Sequence, residues 1–107
     1  MDGTFLTPLK SGMRDDWLDE CPYCEGNNLH HSDVTVFNRS EDADTVRVTH
    51  VMHDSTITSA RVPNDSTNNP SSRRDGILVH FWCEHCEEKP VMAILQHKGT
   101  TFIGWRK

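Results

Sequence analysis

Apolar and polar positions fall into a β pattern along most of the chain. Residues 34–37 (VTVF) and 45–52 (TVRVTHVM) are β-branched and roughly alternating, and the polar stretch 38–44 between them predicts a hairpin. Residues 56–62 (TITSARV) alternate more weakly through Ile57, Ser59 and Arg61, which predicts an edge strand. The most apolar stretches come last: 77–82 (ILVHFW), 90–95 (PVMAIL) and 100–105 (TTFIGW), each short and bounded by turn residues. They predict the central strands, with Lys98 and Gly99 turning the chain between the last two. A single helical turn is expected at Trp17 and Leu18, capped by Asp15 or Asp16.

Two segments break the pattern. Residues 1–16 contain Gly3, Pro8 and Gly12 and read as an irregular N-terminal arm that docks Phe5 and Leu6 on the core. Residues 63–76 (PNDSTNNPSSRRDG) carry no large apolar side chain and read as a long polar loop, projecting and giving little to a core. A loop of that length is the first place to look for a binding surface. Residues 17–107 then form a single mainly β domain.

Composition makes a staple necessary. Only 35% of the 107 residues are hydrophobic, so the core is small and the fold marginal without a cross-link. All four cysteines lie in two CxxC pairs, Cys21 and Cys24 in CPYC, Cys83 and Cys86 in CEHC. The N-terminal stretch has no apolar core of a signal peptide and no run is long enough to span a membrane, so a soluble, cytoplasmic protein is expected. In that reducing compartment the paired motifs read as metal ligands rather than disulfides.

A CxxC turn aims two sulfurs at one point and backbone N–H groups at the thiolates, and two such turns complete a tetrahedron around zinc. The expectation is one structural Zn2+ per chain, held by Cys21, Cys24, Cys83 and Cys86. Iron in the same four thiolates is the less favoured ion, and a thioredoxin-like dithiol is disfavoured by the β surroundings. Four cysteines close the coordination shell, which argues against metal-assisted hydrolysis. His85, between Cys83 and Cys86, reads as a knuckle-tip side chain.

Other candidates are weaker. His50 and His53 on one strand, like adjacent His30 and His31, diverge too far to chelate one ion. Ser71, Ser72, Arg73 and Arg74 offer hydroxyl and guanidinium donors to a phosphate or carboxylate, or else anchor the loop to acids of the same domain. Trp82 and Trp105 are expected in the core beside the knuckles. The net charge of -5 disfavours general polyanion binding, although the end of the chain, with Lys89, Lys98, Arg106 and Lys107, is basic.

Several segments carry a family likeness: CPYC, then LHH (29–31), VTVFNR (34–39), NPSSRRDG (69–76), FWCEHC (81–86) and QHKGTTFIGW (96–105). With these the chain resembles small zinc-ribbon-like proteins of bacteria and their phages or prophages. The resemblance implies a zinc ribbon in a phage or prophage setting and no particular activity. Zinc ribbons at large often read CPxCG, whereas here Glu25 stands where that glycine would be and Gly26 comes one place late.

The fold expected is thus a small antiparallel sheet with a zinc ribbon at one end, the knuckles meeting beside Trp17 and Trp82. The function expected is a non-enzymatic adaptor that binds a protein partner or a second copy of itself. The alternative is nucleic-acid binding through Arg73, Arg74 and the basic C-terminal end. An enzyme has least support, since no Ser/His/Asp set, carboxylate pair, phosphate loop or open metal site can be assembled.

Overall fold

The computed structural model describes residues 6–8, 13–14, 17–18 and 20–106. Among the described residues nine strands follow in chain order: β1 (Leu6–Pro8), β2 (Met13–Arg14), β3 (Trp17–Leu18), β4 (Leu29–Asn38), β5 (Thr45–Val51), β6 (Ile57–Pro63), β7 (Gly76–Cys83), β8 (Val91–His97) and β9 (Thr100–Arg106). A short 3-10 turn, Asn64–Ser66, follows β6. Seven strands form one antiparallel sheet in the order β1-β9-β8-β7-β4-β5-β6, and β2 and β3 pair separately. The expected mainly β fold with its hairpins is therefore present.

Three expectations are corrected. Trp17–Leu18 is a strand opposite Met13–Arg14, not a helical turn; an isolated turn fixes several torsions for one hydrogen bond and is outcompeted by pairing. Within the stretch read as an irregular arm, Leu6–Pro8 joins the sheet edge beside β9. Phe5, Asp15 and Asp16 lie outside the described residues. The third correction concerns residues 63–76, which do not project: Pro70 and Ser71 are buried, and the Ser71 hydroxyl donates to Gln96 O at 2.7 Å.

Directly opposed residues share a face, so the strand register sorts every side chain. On the inner face Phe37, Val46, Leu78 and Ala93 make the buried cluster, with Val48, Val62 and Val91 packed against it. The 63–76 segment covers this face. Its approach depends on Gly76, where a Cβ would come within 2.6 Å of Asn69 Oδ1 and 2.7 Å of Pro70 Cγ. The molecule measures 40 × 32 × 21 Å, with the 63–76 segment laid over the inner face of the seven-stranded sheet.

The outer face is different. Trp105, Met92, Val79, Val34, Val51 and Ile57 stand opposite one another in a row across β9, β8, β7, β4, β5 and β6. Beside it runs a second row, Ile103, Ile94, Ile77 and Val36, continued by Thr49 and Ser59. Solvated sheet faces ordinarily carry polar side chains at such positions. Here Ile57, Ile103 and Val51 are 67, 48 and 40% exposed, while most of the rest are half-buried.

Candidate metal centre

The four cysteines converge at one end of the sheet. Cys83 ends β7, opposite Leu29 at the start of β4, so the pairing of these two strands delivers both knuckles to the same place. The first knuckle closes on itself through Cys21 N–H to Gly26 O and Glu25 N–H to Cys21 O, each 2.9 Å. It rests against the second, where a Cβ on Gly26 would meet the His85 ring at 3.0 Å. Glu25 takes the left-handed backbone itself, at φ 62°, which accounts for a chain that lacks glycine directly after Cys24.

All four sulfurs lie within 4.8 Å of one another, with Cys21 Sγ to Cys86 Sγ at 3.8 Å and Cys24 Sγ to Cys83 Sγ at 3.6 Å. A tetrahedral zinc with Zn–S near 2.3 Å requires sulfurs about 3.8 Å apart, so the donor set fits the ion. Backbone N–H groups aim at the sulfurs as expected: Tyr23 to Cys21 at 3.4 Å, Gly26 to Cys24 at 3.4 Å and His85 to Cys83 at 3.3 Å. Four thiolates in such proximity repel one another. The His85 N–H brings the Cys83 thiol down to about 7, whereas Cys86, though its thiolate is favoured by the Glu88 N–H, is pushed up to about 12 by burial and by the Cys24 and Cys83 thiols. A divalent cation among them would favour all four thiolates at once.

Polar side chains brace the two knuckles. The Asn28 amide donates to Glu84 at 3.4 Å, and the His30 ring nitrogen pairs with the other Glu84 oxygen. Trp82 is not in the core: it is 41% exposed and stacks on His30 with ring centroids 4.2 Å apart. Its partner across the strands is His30, and alternation sets the indole on the opposite side of β7 from Cys83, at the surface and stacked on the imidazole. Trp105, by contrast, is buried as expected and meets Phe81 edge-on.

Ser71, Ser72, Arg73 and Arg74 come together at the opposite end of the sheet. The buried Ser71 hydroxyl accepts from Arg74 N–H at 2.9 Å and Arg73 N–H at 3.3 Å, so it is a structural hub. Ser72 supplies its carbonyl to the Arg39 guanidinium at 3.0 Å. Arg73 forks onto Asp42 at 2.6 and 3.0 Å, and Arg74 pairs with Glu41 at 2.7 Å. Of the two readings of these arginines, anchorage to acids of the same domain is the one the geometry provides. A cleft of about 290 Å³ remains beside them, lined by Glu41, Arg73, Arg74, Gln96, Lys98 and Gly99.

His30 and His31 follow each other on β4, whereas His53 lies past the end of β5 that bears His50 rather than on the same strand. What the sequence reading passed over is the outer face. Its signal lies in the unbroken apolar runs at 77–79 and 91–95, which place large side chains on both sides of a strand and so demand cover on both. Comparison with protein-family models, with curated proteins and with solved structures returns no match. Fold and site together define a mainly β protein with four clustered cysteines whose geometry could hold a metal ion.

Proposed function

We propose that this protein is a non-enzymatic, zinc-stabilised binding module whose partner is a protein. The observation that carries the reading is the outer sheet face, where two apolar rows lie side by side and the most exposed side chains are Ile57 and Ile103. A contiguous apolar surface of several hundred Å² on a soluble domain marks a contact site. The metal supports this role by fixing the strands that present the face, and its closed thiolate shell leaves no position for a substrate. Zinc is the ion of choice because four thiolates in a tetrahedral arrangement suit it. A cytoplasmic adaptor in a phage or prophage setting agrees with the sequence likeness noted above.

Nucleic-acid binding draws less from the geometry. The Arg73 and Arg74 guanidinium groups are engaged by Asp42 and Glu41, and Arg106 donates to Asn68 O at 2.6 Å. Lys107 lies outside the described residues.

Photo-crosslinking in the native cell tests the binding reading. A photoreactive residue placed at position 57 or 103 is expected to yield protein adducts. If neither position gives an adduct while the chain is folded and metal-loaded, the reading fails. Native mass spectrometry is expected to show one zinc per chain, and a red, iron-containing sample would overturn that choice of ion.

A further inference from the structure

We infer that the outer face binds a second copy of this chain, the two sheets packing face to face with their strands antiparallel. This rests on the binding-module reading and names the partner.

The first support is an unresolved charge pattern on that face. Arg47 and Arg61 stand directly opposite each other on β5 and β6, and like charges so placed repel. Each hydrogen-bonds a hydroxyl, Arg47 to Ser59 at 3.2 Å and Arg61 to Thr45 at 3.3 Å, but among the described residues neither has an acidic partner. At the other end of the same two strands the connecting turn holds Asp54, whose carboxylate accepts from Thr56 N–H at 3.0 Å within its own turn. Asp33 lies close by and accepts from His53 N–H at 2.8 Å. The outer face of the hairpin therefore carries two guanidinium groups toward one end and leads into a carboxylate at the connecting turn.

Register supplies the second support. Face-to-face packing of identical sheets requires a two-fold axis lying between them. With the axis running across the strands, midway between the two apolar rows, the Ile57–Val51–Val34–Val79 row of one copy lies over the Ser59–Thr49–Val36–Ile77 row of the other. The same operation carries Arg47 over position 53 and Arg61 over position 55. Both arginines then bracket Asp54 of the second copy, and the contact is made twice. Antiparallel alignment of strands is also one of the two ordinary ways in which sheets pack.

Five strands of about seven residues, β6, β5, β4, β7 and β8, present a face of roughly 24 by 24 Å, about 570 Å² of flat area, to which β9 adds the exposed Ile103 but not the buried Trp105, against the ~800 Å² per partner of a standard interface. Ile57, the most exposed apolar side chain of the face, and Val51 fall beside the proposed charge contacts, while Ile103, second in exposure, lies on β9 at the other side of the sheet.

Sedimentation equilibrium on the zinc-loaded full chain tests the inference. The expected result is a dimer that weakens with added salt. Val51→Glu with Ile57→Glu is expected to raise the dimer dissociation constant about 100-fold. Both positions are exposed, so folding is retained, and zinc content checks it. Arg47→Asp with Arg61→Asp is expected to weaken the dimer about tenfold, and adding Asp54→Arg to that variant is expected to restore it. A chain monomeric at several hundred micromolar overturns the inference. So does a dimer indifferent to the glutamates, or a folded charge swap without rescue. Should the chain be monomeric while the crosslinker at position 57 still captures a different protein, the binding reading stands and only the identity of the partner falls.

Discussion

At the residue scale the first knuckle pays for its sequence at Glu25. A side chain at φ 62° costs about 1 kcal/mol relative to glycine, partly offset by the greater freedom glycine has in the unfolded chain. Glu25→Gly is therefore expected to stabilise the metal-loaded protein by about 0.5 kcal/mol, measured by urea denaturation, with zinc content unchanged. The reverse holds for Ser71. Its hydroxyl accepts two backbone N–H groups and donates to Gln96 O while fully buried, so Ser71→Ala leaves those groups without a partner. The expected loss is about 1–3 kcal/mol in the same denaturation, and hydrogen exchange over residues 70–75 is expected to rise. Cysteine spacing made the metal ligands plain in the sequence. Glu25 was only half legible: the missing glycine could be noted, but whether the backbone turned left-handed there depended on how the knuckle closes onto Cys21.

At the element scale the 63–76 segment and the β4–β5 connection form one polar latch. The Arg73 guanidinium, hydrogen-bonded to Asp42, holds that carboxyl below its ordinary range, against the opposing effect of burial. A lowered native value means that the contribution to stability is complete above the ordinary carboxylate value of 3.8 and disappears as the pH falls through the lowered one. Asp42→Asn is expected to flatten the acid limb of stability against pH in that window, read from urea midpoints. Gly76→Ala tests the other contact of the latch, since its Cβ would strike Asn69 and Pro70; a cost of about 1–3 kcal/mol is expected. Strands were legible because alternation is local. The docking of this segment was not: Pro70 reads as a turn former, and only the nearness of Gly76, Gln96 and Asp42 shows that the segment covers a core. Trp82 failed for a related reason, since its burial depended on what lay across the strands, and that is His30.

At the scale of the whole molecule the sheet has two ends held by different forces. Around Phe37, Val46, Leu78 and Ala93 the inner face is apolar and closed, and truncating a buried side chain such as Leu78 there to alanine would cost about 2–5 kcal/mol. At the cysteine end the strands carry His30, His31 and Trp82, with Glu84 just past β7, and a metal held there would join cysteines 59 residues apart in sequence. Loop closure favours that cross-link, while β4 and β7 also pair away from the cysteines, through Val34, Thr35 and Val36. Removing the ion should therefore act unevenly. Hydrogen exchange after chelation is expected to accelerate first over residues 20–31 and 81–90, while amides of residues 34–37 and 77–79 stay protected until the core itself yields. Simultaneous loss of protection in both regions would mean that the metal, rather than the apolar cluster, holds the entire sheet. Persistence of both would mean that the strands at the cysteine end need no ion. The outer face gives this order a consequence, because Val34, Val79 and Ile77 belong to the protected set. Binding through that face is then expected to survive mild chelation and to fail only when the core strands open.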